Sequence, residues 1–303
     1  MAKAIIILGN GFDLDLGLRT SYADFAKSTQ WAKLMGGNSH SVDSHWLLGY
    51  LKGKYETERW IDIESALLEY ASEKTRMNHI AYAEGDANDF QALRKALKEY
   101  LKEQQDHFSL PGSSVASALL GYIRLAASRQ SPLYTFNYTQ LDVLARKCEM
   151  ALPGDATHLH GSLADDDDII LGIETDKRID DRYAFLFKTQ NRQYRHSNLL
   201  KDLRNKDEYV FFGHSLNGMD YEYFRNTFSL LSVGSNGTPR LTIITKDEAA
   251  ENSFKSFLRN SRVSLQGLYS NANPTFILTD LVYRRDPGEL EKLEGLMERM
   301  VST

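Results

Sequence analysis

Residues 4–8 form an unbroken apolar run, Ala-Ile-Ile-Ile-Leu, that stops at Gly9-Asn10-Gly11. A run this short, with no polar alternation, predicts a strand buried on both faces, and such strands belong at the centre of a parallel sheet. Ser21, three residues ahead of Asp24, forms a cap pattern that opens a helix through Tyr22, Phe25 and Ala26. From about Asp24 to Gln130 helical spacing dominates. Leu93, Leu97, Tyr100 and Leu101 recur on one face, with Arg94, Lys95, Lys98, Glu99 and Lys102 around the rest. Strand character returns at 132–136, and short apolar runs follow at 169–171, 209–212, 241–244 and 276–278. Segments 206–208, 234–239 and 270–274 read as loops, and 289–300 as a C-terminal amphipathic helix. Strands alternating with helices predict an α/β fold with a doubly wound, mainly parallel sheet, in one domain that carries a large helical insertion at about 24–130.

Composition narrows the partners. The chain has 303 residues, 42% of them apolar, which is enough for a full core. Its formal charge is only -5, with both signs mixed along the chain. A phosphate backbone calls for a sustained basic stripe, so nucleic acid is not an expected partner. No apolar run approaches the roughly 20 residues of a membrane helix, and Ile5-Ile-Ile-Leu8 is too short for a signal-peptide core, so a cytoplasmic protein away from membranes is expected. The single cysteine, Cys148, rules out an internal disulfide and a thiolate zinc ribbon within the chain, and no metal is expected.

Four strand ends carry candidate chemistry. Gly9-Asn10-Gly11-Phe12-Asp13 follows the buried strand, where glycines let backbone N–H groups approach a phosphate. It lacks the third glycine of G-x-G-x-x-G, and a tight connection explains the same residues. In Thr135-Phe136-Asn137-Tyr138-Thr139, the Asn137 amide is placed to bind a ribose hydroxyl or a water, though asparagine also forms turns. In Thr157-His158-Leu159-His160-Gly161, an extended chain puts both histidines on one face. His160, beside the glycine, is the better general base, against the alternative of a hydrogen-bonding structural residue. Gly213-His214-Ser215-Leu216 leads through an Asn217-Gly218 turn to Asp220, which either caps a helix carrying Tyr221 and Phe224 or fixes the loop while Gly213 and Ser215 meet a ribose. Asp62 and Glu64, after Trp60, read as dipole partners of a helix containing Leu67 and Leu68, and residues 165–168, four aspartates, as a solvated loop.

In this order and combination, the Gly9 to Asp13 loop, Gly17-Leu18, the Thr20 to Phe25 segment, Trp60-x-Asp-x-Glu64, Phe136-Asn-Tyr-Thr139, His158-Leu-His-Gly161 and Gly213-His-Ser-Leu216 resemble the bacteriophage abortive-infection AbiH family, over residues 5 to about 224. That family is similar to sirtuin-like NAD-binding domains, so the resemblance implies a Rossmann-like sheet and NAD as ligand or substrate. It matches the sirtuin Gly-rich loop to Gly9, Asn10, Gly11, Phe12 and Asp13, the strand-end asparagine to Asn137, and the catalytic His-Gly pair to His160-Gly161. The Gly-Thr-Ser loop corresponds to Gly213-His214-Ser215, with His214 a departure, and Thr135, Tyr138 and Asp220 complete the implied nucleotide contacts. Without a zinc ribbon, lysine deacylation is disfavoured, and the resemblance implies zinc-independent hydrolysis of NAD to nicotinamide and ADP-ribose. In that scheme the first loop holds the pyrophosphate, Asn137 the ribose or water, and His160 is the base. A nucleotide-binding sensor without turnover and an ADP-ribosyltransferase stay open as alternatives, and a phage-derived trigger or a homo-oligomer as partners. The helical insertion is the expected partner surface.

Overall fold

The computed structural model describes residues 4–37, 47–58, 62–77, 83–128, 131–150, 152, 156–175, 177–194, 198–204, 206–216, 218–234 and 237–302. Trp60 and Asn217 lie outside the described residues. Six strands form one all-parallel sheet: β1 (Ala4–Leu8), β2 (Leu133–Thr135), β3 (Thr157–His158), β4 (Glu208–Phe212), β5 (Arg240–Thr245) and β6 (Thr275–Leu278). Their order is β3-β2-β1-β4-β5-β6. Every residue of β1 is buried, because β2 pairs along one edge (Ile6 opposite Leu133) and β4 along the other (Ile6 opposite Val210). The order reverses at β1: the chain builds outward to β3, then returns to add β4 beside β1.

Alternation along the strands feeds two cores. Ile6, Leu8, Val210, Phe212 and Ile244 pack with Phe12, Leu119, Leu144 and Leu296. Ile5, Ile7, Tyr209, Phe211 and Ile243 pack with Phe224, Phe228, Phe254 and Leu268. The apolar run of β1 thus reads as expected, since its odd and even positions serve different faces. Burying a side chain of this kind is worth roughly 1.5–3 kcal/mol.

The chain divides into two compact units. The sheet unit comprises Met1–Leu18, Phe108–Leu159 and His196–Thr303. It includes the helices Asn10–Leu16, Val115–Ser128, Arg225–Val233, Glu248–Asn260, Leu265–Ala272 and Pro287–Ser302. The helical unit comprises Arg19–His107 and His160–Arg195. Its helices are Thr29–Gly37, Leu47–Glu58, Ile63–Met77 and Ala83–His107, after the short Tyr22–Phe25 turn that Ser21 caps through the Asp24 N–H. Inside it, the Asp86 carboxylate accepts from the hydroxyls of Tyr70 and Tyr183, each at 2.8 Å, and from the Leu47 N–H at 2.9 Å.

Three local expectations fail. Residues 169–171 are buried but form no strand, and one bridge, Ile173 to Phe187, is the β pairing nearby. A short apolar run signals burial, and burial here is met by an irregular segment. The supposed loop at 270–274 is helical to Ala272 and closes on Asn273 at φ 40°. Asp220 lies within a 3-10 turn, Gly218–Tyr223, while the helix carrying Phe228 starts at Arg225 without a side-chain cap.

Candidate functional site

In the sheet unit the loops after β1 and β4 meet backbone to backbone. The Gly9 N–H donates to the Phe212 carbonyl and the Gly11 N–H to the Gly213 carbonyl, both at 2.9 Å. A Cβ on Gly9 would lie 2.7 Å from His214 Cα, and one on Gly11 would lie 2.5 Å from Gly213 Cα. Close approach of two segments therefore explains these glycines; the N–H groups of Gly9 and Gly11 bond across it, and that of Phe12 donates to the Gly9 carbonyl within the turn. The β4 loop carries strain as well, since buried Leu216 has φ 55°. Its N–H donates to His214 Nδ1 at 3.1 Å, and the His214 ring stands edge-on to Phe136 at 4.5 Å and Phe224 at 5.2 Å.

A second network ties β2 to the same place. Asp13 is 2% exposed and accepts from Asn137 Nδ2 at 2.7 Å and Thr139 Oγ1 at 2.6 Å. The Asn137 amide also donates to the Gly9 carbonyl at 3.1 Å, and the Asn137 N–H donates to Thr135 Oγ1 at 3.0 Å. His158 Nδ1 sits 2.9 Å from the Asn137 carbonyl oxygen. Burial pushes the Asp13 carboxyl up to about 7, although the bonds from Thr139 and Asn137 and the charge of His158 pull the other way.

From the β1–β4 junction a cleft of about 600 Å³ opens across the carboxyl ends of β4, β5 and β6. Gly11, Asp15, Gly213, His214, Ser215, Lys246, Ala250, Ser253, Thr279, Asp280 and Tyr283 are among the residues that line it. Asp15 is held in place by Tyr283 Oη at 2.6 Å and the Ala116 N–H at 2.7 Å, and desolvation raises its carboxyl above the usual range. Lys246 supplies a cation, and the serines, Thr279 and Asp280 supply hydroxyl and carboxylate groups.

The helical unit holds the remaining candidates. His160 is 4% exposed, and its Nε2 lies 3.3 Å from Nζ of Lys188, which is 0% exposed. Lys188 also meets Glu64 Oε1 at 3.1 Å and Oε2 at 3.2 Å. Gly161 adopts φ 73°, and a Cβ there would collide with the Asp168 carbonyl oxygen. The 165–168 aspartates are not simply solvated. Arg94 reaches Asp168 at 2.6 Å, Lys98 reaches Asp168 at 3.3 Å, and Lys102 reaches Asp165 at 3.0 Å. Asp62 accepts from the Ser65 N–H and hydroxyl as a cap, whereas Glu64 turns to Lys188. Among the described residues no group of three His, Cys, Asp or Glu is arranged to hold a metal ion.

Gly9 to Asp13, Thr135, Asn137 and Gly213 to Ser215 thus converge in the sheet unit, with Tyr138 following Asn137 in the chain and Asp220 on the 3-10 turn beyond the β4 loop. Sequence reasoning missed the partners: Thr139 on Asp13, Lys246 in the cleft and Lys188 on His160. Lys188 left a signal, a lysine directly after the apolar Ala184-Phe-Leu-Phe187 run, where burial demands an anionic partner.

A family model described as bacteriophage abortive infection AbiH matches residues 5–238. No curated protein and no solved structure matches the chain. No helix among the described residues is long and apolar enough to cross a membrane.

Proposed function

The chain belongs to the bacteriophage abortive infection AbiH family, and on that premise we propose that it acts in antiphage defence by binding NAD in its sheet unit and cleaving it to nicotinamide and ADP-ribose. One observation carries the binding: the cleft opens at the carboxyl ends of the strands, beginning where the strand order reverses between β1 and β4. The order is that of doubly wound, Rossmann-like dinucleotide-binding sheets, which take their ligands at this switch point. Its volume of about 600 Å³ suits a ligand of dinucleotide size. Lys246 pairs with phosphate, and Ser215 and Asp280 take ribose hydroxyls. Since the Gly11 and Phe12 N–H groups are bonded within the protein, the first loop shapes the cleft wall rather than supplying those two donors.

Cleaving the nicotinamide bond leaves an oxocarbenium-like ribose that water must attack, and the resemblance of the His158-Leu-His-Gly161 sequence to sirtuin-like domains implies His160 as the base. A positioned base is worth roughly 10²- to 10⁴-fold in rate. His160→Ala is expected to abolish detectable nicotinamide release, followed by chromatography, while most of the NAD affinity stays; full turnover in that variant sinks the assignment. A second reading, an NAD-binding sensor without turnover, is favoured by two bonds: the Asn137 amide is engaged by Gly9 and Asp13, and His160 Nε2 faces Lys188. NAD binding without release, coupled to a change in oligomer size, supports the sensor.

A further inference from the structure

The sheet unit contains a second hollow, of about 990 Å³, at the amino ends of β4 and β5. It is lined from the turn that follows the short helix Leu199–Asp202, from the helix Arg225–Val233 and from the Thr238-Pro239 entry to β5. No residue lining it also lines the cleft at the carboxyl ends. The five residues of β4 set the two ends about 16 Å apart, at roughly 3.3 Å per residue. An occupant here therefore sits apart from a nucleotide in the cleft.

The hollow has the composition of a small-molecule site, in which an apolar wall carries a few polar groups. Leu203, Tyr209 and Leu231 line it and are buried, and the Tyr209 hydroxyl donates to the Leu203 carbonyl at 2.8 Å, which braces that wall. Leu200 and Leu230, which also line it, are 52% and 61% exposed. Large apolar side chains left in water around a concave surface mark a place where something docks. Thr227 adds a polar handle. It is 8% exposed, and its hydroxyl has no hydrogen-bond partner among the described residues, so it can both donate to and accept from an occupant.

Charge decides what kind of occupant fits. The chain as a whole carries -5, yet the hollow is lined by Arg204 and Lys206 against one acid, Asp207. Among the described residues neither cation has an ion-pair partner. The two come from one turn, and the planar Arg204 guanidinium matches both oxygens of a carboxylate or phosphate. We propose that this hollow is a second ligand site, which takes a small anion with an apolar body: a carboxylate or phosphate ester whose charged head meets Arg204 and Lys206 and whose aromatic or aliphatic part lies against Leu203, Leu230 and Leu231. The site is independent of the reading of the cleft as an NAD site.

The test is calorimetric titration of the full chain with naphthyl phosphate, beside naphthol for the body alone and inorganic phosphate for the head alone. Naphthyl phosphate is expected to bind saturably, and each control at least tenfold more weakly. Arg204→Gln combined with Lys206→Gln is expected to lower its affinity at least tenfold, with folding checked by circular dichroism. Leu230→Glu, on the exposed face of its helix, is a second variant with the same expected loss. Saturating NAD is expected to leave the affinity unchanged. No saturable binding to the parent overturns the proposal, as does equal affinity in the folded variants. Naphthol binding as tightly as its phosphate ester removes the anion from the site. Displacement by NAD, with the variants unaffected, places the probe in the cleft and rejects the second site while leaving the nucleotide reading intact.

Discussion

Asp13 makes the folded state of this protein sensitive to pH in an unusual direction. Its carboxyl is pushed up to about 7 by burial, above its value in the unfolded chain, so between those values the folded form binds the extra proton. The contribution of Asp13 to stability is full below about pH 4 and is lost as pH rises through 7. At about 1.4 kcal/mol per unit of displacement, the loss is on the order of 4 kcal/mol at most. Urea unfolding of the parent at pH 5 and pH 8 is expected to show it, and Asp13→Asn to flatten the difference; an equal slope in both proteins contradicts the assignment. Gly11 is a second residue with a sharp prediction. A Cβ there meets Gly213 Cα at 2.5 Å, so Gly11→Ala is expected to destabilise the protein by about 1–3 kcal/mol in the same measurement and to weaken NAD binding. The sequence marked both positions as part of one loop, yet for another reason. A Gly-x-Gly turn reads equally as a phosphate cradle or as a close crossing of chains, and the partner that decides, Gly213, lies some two hundred residues away, which no local pattern encodes.

At the scale of elements, legibility followed the strength of the period. The β1, β4, β5 and β6 runs are plain, because strands buried on both faces are apolar through most of their length, with charged residues only at the first positions of β4 and β5. The helix Ala83–His107 was equally plain from its apolar face, and its basic face proved to have a use: Arg94, Lys98 and Lys102, spaced four apart on one side, pair with Asp168 and Asp165. No local pattern encodes that match, because Arg94 and Asp168 are 74 residues apart in the chain. The C-terminal helix Pro287–Ser302 is tied to the sheet by two buried acids. Glu208, the first residue of β4, accepts from Arg299 at 3.0 Å, and Glu289 accepts from the Leu278 N–H at 2.8 Å. Arg299→Met leaves the Glu208 carboxylate buried alone, and a loss of about 2–3 kcal/mol in urea unfolding is expected; Glu208→Gln in the same background should restore part of it. A change within 0.5 kcal/mol in Arg299→Met would mean the pair carries no such weight.

At the scale of the whole molecule the chain divides its chemistry between two units, and the division falls between Leu159 and His160. The sequence placed His158 and His160 together on the face of one extended segment. The strand ends at His158, whose Nδ1 meets the Asn137 carbonyl, and His160 belongs to the helical unit with Lys188 and Glu64. Period-2 reasoning holds only while a strand continues, and β3 has two residues. The strand order, by contrast, was reachable only as a class: alternating strands and helices imply a doubly wound sheet, but which strand lies beside β1 is decided by packing of distant segments. That order places the cleft, and the cleft is the ground on which NAD is proposed as the ligand. The most direct test is therefore calorimetric titration of NAD into the purified protein and into Ala250→Trp, whose indole fills the cleft. The account predicts saturable binding to the parent and at least a tenfold loss of affinity in a variant that still unfolds cooperatively. No binding to the parent, or equal affinity in the two proteins, would contradict it.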